Sequence, residues 1–297
     1  MNPVYRIILI LIVLFLIFFA AVLFADNRRF VVRRYVVRDR RIAKPVRYVL
    51  LTDLHEKVYP PDNEKIVDAV REIGPDAVLL GGDLIVYKKA VKGGDFCENS
   101  LSLVRRLAAA APVFYVNGNH EQHLMEDGGK DRLYERFADS LKACGVCLLH
   151  NSGRDISGTL LQGLELPMDY YERFHMRTLS ADRIESMIGQ NRPDVFTVLL
   201  THTPDQFEAY ADWGADLCLC GHIHGGVARL PLIGGIIGPQ SGFFPRYSAG
   251  VYERPIPGAD KRTCRMILSC GMGMHKMPLR FMNPGEISVI ELVPQEA

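Results

Sequence analysis

Apolar and polar positions alternate along this chain in blocks, and one block stands apart. Residues 7–24 are apolar throughout, without Gly or Pro. As a helix this run measures about 27 Å, close to the roughly 30 Å hydrocarbon core of a bilayer. It is longer than a signal-peptide core, and Leu23-Phe24-Ala25 makes a poor cleavage site. The run has no polar face, which argues against a buried core helix. The pattern predicts an uncleaved transmembrane anchor over residues 1–25 and a basic stalk over 26–45 with an edge strand at 30–37. One soluble domain is expected over 46–297, since no repeat or low-complexity linker divides it.

Within 46–297 the apolar runs are short and bounded by Gly, Pro and polar residues, which is strand punctuation. Strands are expected at 46–52, 77–80 and 113–116, alternating with helices at 64–73, 98–111 and 132–144. Such alternation predicts a parallel sheet with right-handed crossovers. Short strands follow in 147–149 and 151–166, then a loop at 167–176. A helix at 179–190, a strand at 195–201, a helix at 206–213 and a strand at 217–220 come next. The C-terminal runs 247–252, 263–269 and 286–293 read as antiparallel strands.

Five polar motifs each follow one of these apolar runs: Asp53-Leu54-His55, Gly81-Gly82-Asp83, Gly118-Asn119-His120-Glu121, Thr201-His202-Thr203 and Gly221-His222-Ile223-His224-Gly225-Gly226. Ligand sites in open α/β sheets form where strands end. Asp53 with His55, and His222 with His224, are two apart, so a strand pleat would put each pair on one face. The glycines before Asp83 let backbone approach a phosphate or metal closely. Two Asp, one Asn and up to five His exceed the needs of one ion. Oxygen and imidazole donors without thiolate suit Mn, Fe, Zn or Ni. A metal pair is the standard device for in-line displacement at phosphorus, so the residue list points to metal-assisted phosphoester hydrolysis.

Composition narrows the partners. A net charge of +1 gives no global basic field for nucleic acid. Seven cysteines without regular spacing do not form a disulfide framework. Cys144 and Cys147 have no second pair to complete a zinc site, and Cys218 and Cys220 read as core packing. Arg6 alone precedes the apolar run, whereas Arg28, Arg29, Arg33, Arg34, Arg38, Arg40, Arg41, Lys44 and Arg47 follow it. That bias puts the catalytic domain in the cytoplasm, unless the arginines serve the folded domain or anionic headgroups instead. His123, His150, His175 and His275 lack motif context and read as surface or packing. Residues 230–245 are too apolar for an ordinary loop and too rich in breakers for a helix. They read either as a greasy lip beside the metals that admits acyl chains or touches the bilayer, or as a loop folded onto the domain.

The order and spelling of the five motifs resemble the calcineurin-like metallophosphoesterase superfamily, whose pattern is D-x-H, G-D, G-N-H-E, a lone H and G-H-x-H. The resemblance extends over roughly residues 46–292. Within the superfamily the chain looks most like the bacterial membrane-anchored branch. It shares the tail Gly238-Pro239-Gln240-Ser241-Gly242-Phe243-Phe244-Pro245, then Arg280-Phe281 and Pro284-Gly285-Glu286-Ile287. Val227 stands where that branch usually has Gln, a departure that bears on substrate more than on metal. The resemblance implies an α/β metallophosphoesterase sandwich, two mixed β-sheets flanked by helices. It implies two divalent ions (Mn, Fe or Zn), with Asp53, His55 and His224 on the first. Asn119, His202 and His222 hold the second, and Asp83 bridges both.

By the same resemblance His120 assists the leaving group and Glu121 orients its neighbours. Arg280 either clamps a phosphate or ties the tail down through a salt bridge. The substrate implied is a phosphodiester or pyrophosphate, lipid-linked as for enzymes similar to UDP-2,3-diacylglucosamine pyrophosphate hydrolases of lipid A biosynthesis, or broader in kind. The alternative is a non-catalytic metal-binding scaffold that presents the fold to a protein partner.

Overall fold

A computed structural model describes residues 2–128, 132–172, 177–238, 242–259, 262–274 and 279–295. The chain starts with helix α1 (Pro3–Arg28), which is apolar all round and projects from the domain with most of its side chains exposed. It is the one helix, among the described residues, long and apolar enough to cross a membrane. Its base differs, because Asp26 is fully buried.

The first sheet is built from β1 (Phe30–Asp39), β2 (Val46–Leu51), β3 (Ala77–Leu80), β4 (Val113–Tyr115), β5 (Cys147–Leu148) and the last strand of the chain. Between them run α2 (Glu64–Ile73), the single turn α3 (Tyr87–Ala90), α4 (Glu98–Ala108), α5 (Asn119–Glu126) and α6 (Leu133–Ala143). Alternation sorts the strands into two faces. Val49 and Leu51 of β2 pack outward against Ile66, Val67 and Val70 of α2 and Leu103 and Leu107 of α4. Tyr48 and Leu50 point inward. Helix α2 forms because its buried residues fall on one stripe, and it stops at Gly74, whose φ of 58° is left-handed.

The second sheet takes β6 (Gly153–Ile156), β7 (Thr159–Leu164), β8 (Phe196–Thr201) and β9 (Leu217–Cys220), with α7 (Ala181–Ile188) and α8 (Phe207–Trp213) outside. Two small hairpins follow, β10 (Arg229–Leu230) with β11 (Gly234–Gly235) and β12 (Ile237–Gly238) with β13 (Gly242–Phe243). Strands β14 (Gly250–Pro255) and β15 (Thr263–Leu268) complete this sheet, and β16 (Gly285–Pro294) returns to the first. The orders are β1-β16-β2-β3-β4-β5 and β14-β15-β9-β8-β7-β6. Leu79, Val116, Leu161, Val198, Leu219 and Ile267 fill the space between the sheets with Tyr48 and Leu50.

The sandwich expected from the resemblance is therefore present. So is the edge strand expected at 30–37: β1 lies at the edge of the first sheet and pairs in parallel with β16, from Phe30 opposite Gly285 to Asp39 opposite Pro294. Three departures from the strand and helix expectations remain. The C-terminal strands are not uniformly antiparallel, since β15 runs parallel to β9. Helix α5, which begins on the third motif, had no apolar periodicity to announce it. Residues 230–238 and 242–243 form hairpin strands rather than a plain loop; Pro239, Gln240 and Ser241 of the tail motif lie outside the described residues, as do His175 and His275.

Candidate metal centre

Strands β2, β3, β4, β8 and β9 all end on one rim, and backbone bonds lace their loops together. Asp53 N–H donates to Gly82 O (2.9 Å), His55 N–H to Asp83 O (3.0 Å) and Gly221 N–H to His202 O (3.0 Å). Asp53, His55, Asp83, His222 and His224 have φ of 54°, 50°, 54°, 74° and 53°. Non-glycine residues rarely adopt this region, at about 1–3 kcal/mol each. This corrects the pleat expectation: Asp53 converges with His55, and His222 with His224, through left-handed turns beyond the strand ends. The loops also approach too closely for side chains. A Cβ on Gly118 would collide with the Asp83 carboxylate, and one on Gly221 would strike that of Asp53.

These loops bring six side chains into one buried cluster. His55 Nε2 lies 3.3 Å from His224 Nε2 and 3.7 Å from Asp83 Oδ2. His202 Nε2 lies 3.2 Å from His222 Nδ1, 3.3 Å from Asp83 Oδ2 and 3.9 Å from Asp53 Oδ1. His224 Nε2 is 3.7 Å from Asp53 Oδ1. Three sets could each hold a metal ion: Asp53, His55 and His224; His55, Asp83 and His120; and Asp83, His202 and His222.

The far sides of the rings explain their aim. A carbonyl only accepts, so each ring nitrogen facing one must carry the proton. His55 Nδ1–H donates to Ile85 O (3.2 Å), His202 Nδ1–H to Gly81 O (2.7 Å) and His224 Nδ1–H to Gly273 O (3.1 Å). Each Nε2 is thereby turned into the cluster, the orientation that metal-binding histidines need. Asn119, at the head of α5, adds Oδ1, which is buried without a hydrogen-bond donor among the described residues.

Electrostatics support the same fit. Burial raises the Asp53 carboxyl above its usual range. Burial also opposes charge on Asp83 and His202. Yet their attraction holds Asp83 well below the carboxylate range and, with Asp53, pushes His202 up to about 9. Burial and then His202 push His222 down to about 3, and burial and then Arg280 do the same to His224. Two carboxylates thus face mostly neutral imidazoles, a donor set of oxygen and nitrogen that fits a divalent cation.

Other residues brace the cluster. Glu121 is fully buried; its Oε1 accepts from Leu84 N–H (2.8 Å) and Ile85 N–H (3.1 Å), its Oε2 from Asp83 N–H and Gly118 N–H (both 2.9 Å). It ties the β3 loop to the β4 loop. His120 Nδ1 accepts from Tyr87 N–H (3.0 Å), which leaves the ring proton on Nε2, and burial lowers its pKa.

Arg280 requires a correction. Its side chain is fully buried. Nη1 faces Asn283 O and Pro284 O at 3.2 and 3.3 Å, and Nη2 faces Cys270 O, Gly271 O and Gly273 O at 2.9, 3.1 and 2.7 Å. Occupied by carbonyls, it neither clamps a phosphate nor forms a salt bridge to the tail. Instead it holds the Gly273 carbonyl that orients His224.

Sequence reasoning missed Asn283, whose Nδ2 donates to His224 O (2.7 Å) while its N–H donates to Asp26 Oδ2 (2.9 Å). It also missed Tyr171, whose ring centroid lies 5.5 Å from that of His222. Neither sits in a repeating pattern that could have flagged it. His150 pairs with Glu165 (2.9 Å) and His123 stacks on Tyr87, both outside the cluster.

The sequence matches the family model described as calcineurin-like phosphoesterase over residues 46–226. The chain belongs to the calcineurin-like phosphoesterase family. It is similar to Phosphodiesterase YaeI of Escherichia coli (strain K12), at 30% identity over 70% of this chain and 71% of that protein. It is similar to the uncharacterized metallophosphoesterase YkuE of Bacillus subtilis (strain 168), at 26% identity over 78% and 72%. An uncharacterized metallophosphoesterase of Helicobacter pylori (strain ATCC 700392 / 26695) is 26% identical over 86% of this chain, which spans 62% of that protein's length. Family and cluster together make this member of the calcineurin-like phosphoesterase family a metal-dependent phosphoester hydrolase.

Proposed function

We propose that the chain hydrolyses a phosphodiester or pyrophosphate bond at two divalent ions on this rim. Asp53, His55 and His224 hold one ion, Asn119, His202 and His222 the other, and the Asp83 carboxylate spans both. Bound there, such ions polarise phosphoryl oxygens and acidify water. The chain's own residues do the rest. His55, His202 and His224 keep their orientation through carbonyls of Ile85, Gly81 and Gly273. Glu121 fixes the two loops that carry Asp83 and Asn119. His120 presents Nε2–H to the leaving oxygen while Tyr87 N–H occupies its other nitrogen.

We further propose a membrane-anchored enzyme that acts on a lipid-linked substrate, such as UDP-2,3-diacylglucosamine, with its domain in the cytoplasm. The contact of Phe19, inside the apolar run, with Phe281 (4.7 Å between ring centroids) supports an uncleaved anchor over a removable signal sequence, because cleavage after Ala25 would lose it. Arg33, Arg34, Arg41 and Arg47 pair with Glu286, Glu291 and Asp216, so the charge bias for the cytoplasm rests on the remaining basic flank.

The observation that carries the proposal is the convergence of Asp53, His55, Asp83, His202, His222 and His224 within one buried cluster. The test is elemental analysis of the detergent-purified full chain after Mn loading, with hydrolysis of bis(p-nitrophenyl) phosphate and of a lipid-linked pyrophosphate. Two ions per chain and Mn-dependent hydrolysis are expected. A folded chain that retains fewer than two ions, or cleaves neither compound, overturns the reading.

A further inference from the structure

Large apolar side chains are exposed on the two hairpins that follow the last motif. Leu232 is 108% exposed, and Ile233, Phe243 and Phe244 are exposed as well. Leu232 and Phe244 also have φ of 68° and 54°, a costly conformation for bulky residues with no packing to repay it. Exposed clusters of this kind mark surfaces that something covers.

The hairpins are tied to α1. Ala228 forms a parallel bridge with Phe281, Arg229 N–H donates to Phe281 O (3.0 Å), and the Phe281 ring packs on Phe19 of α1 at 4.7 Å between centroids. The helix base is locked to the same segment through Asp26 and Asn283. Phe19 lies five residues inside the apolar run that ends at Phe24, which is about 7 Å along the helix axis. If α1 spans a bilayer up to Phe24, Phe281 sits below that level. The hairpins joined to it stand at the boundary of headgroups and acyl chains, where interfacial elements bury about 5–10 Å. Exposed Leu279 and Met282 flank Phe281 on the same segment.

We propose that the hairpins of residues 229–238 and 242–244 dock into the leaflet that receives the C-terminal end of α1, and so hold the metal rim against the bilayer surface. The occupant is lipid, because the patch is continuous with an apolar helix through Phe19 and Phe281. Asn283 Nδ2 donates both to His224 O and to Val227 O (3.3 Å), so the last motif and the start of the lip move as one piece. A phosphoester carried by a membrane lipid then reaches the rim without leaving the surface. This inference rests on the reading of α1 as an uncleaved anchor.

The test places tryptophan at Leu232 or Phe243 in the full chain, reconstituted in phosphatidylcholine–phosphatidylglycerol vesicles with or without brominated acyl chains. Arg154→Trp is the control, an exposed position on β6, the strand at the opposite edge of the second sheet from β14. Native Trp213 is nearly buried and gives a constant background. Leu232→Trp and Phe243→Trp should lose about half of their added emission to brominated lipid, as expected at interfacial depth; Arg154→Trp should lose none. Equal quenching at all three positions overturns the docking, as does release of the chain from vesicles by alkaline carbonate. Mn-dependent cleavage of the soluble diester, measured on the same samples, separates the two proposals: it persists when only docking fails.

Discussion

At the end of the sandwich away from the metal rim, Asp216 is met by two arginines: Arg41 Nη2 and Arg262 Nη2 each lie 2.7 Å from its Oδ1. Its Oδ2 accepts from Thr197 N–H, and Arg41 also pairs with Asp39 at 2.9 Å. Asp53 and Asp83 at the rim are as deeply buried, yet their charged answer within the protein is chiefly the His202 imidazole. One end therefore balances its carboxylates with fixed cations that no ordinary pH removes. The other surrounds them with groups that are mostly neutral. Burying anions without a fixed counter-charge is costly, so the rim is built for a cation from outside.

The strongest way to break this contrast is Asp83→Ala, which removes the carboxylate shared by both proposed ions. Elemental analysis should show loss of both metals, and hydrolysis of a soluble diester should fall below detection. Two ions retained per chain would sink the bridging role. Next in size is His120→Ala. Metal content should persist while kcat drops about 10²–10⁴-fold on a diester with a poor leaving group. With nitrophenolate, which leaves without a proton, the loss should be smaller. Equal losses on both substrates would remove His120 from the leaving-group side. Glu121→Gln comes third, because an amide cannot accept on both arms from four backbone donors. Metal affinity should weaken about 10–100-fold, read by competition with a fluorescent chelator. Unchanged affinity would show that the two loops hold their positions without it.

The two ends also differ in how far the sequence revealed them. The rim was legible because each motif is contiguous and follows a core strand, so short-range punctuation located Asp53, Asp83, His202 and His222 at once. What it concealed was mechanism at the backbone level. The left-handed turns at Asp53, His55, His222 and His224 have only a weak signature in residue type: Asp and His enter this region more often than other side chains, but glycine is its usual sign. Arg280 could be read as a phosphate clamp or as a salt bridge to the tail, because charge in a tail segment suggests either. Only tertiary packing shows its two terminal nitrogens facing carbonyls. Asn283 and Asp26 are 257 residues apart, and no pattern could pair them. The Arg41–Asp216–Arg262 cluster was invisible for the same reason: its members come from the loop after β1 and from the residues before β9 and β15. Read as a sequence, Arg41 was one more basic residue beside the anchor.

That opposite end supplies the smallest effect. Arg41→Met should leave metal content and hydrolysis unchanged, because its partners face away from the rim. Asp216 keeps Arg262, so the cost stays below the 3–5 kcal/mol of an orphaned buried charge and should be about 1–2 kcal/mol at neutral pH. The pH dependence identifies its source. Burial would raise the Asp39 carboxyl, but the side-chain and backbone bonds from Arg41 outweigh it and hold the group below its ordinary range. A carboxyl with a depressed folded pKa adds stability above the ordinary aspartate value of about 3.9, and that contribution is lost as pH falls through the folded value. The variant keeps the backbone bond of residue 41 to Asp39 but lacks the side-chain share of this contribution at every pH. Urea unfolding of parent and variant with chelator present should therefore show the full gap at pH 7 and a gap that closes as the pH falls below the ordinary aspartate value. A gap that stays constant with pH would mean that Arg41 stabilises by packing on Phe196, its guanidinium carbon 5.6 Å from the ring centroid, rather than by charge.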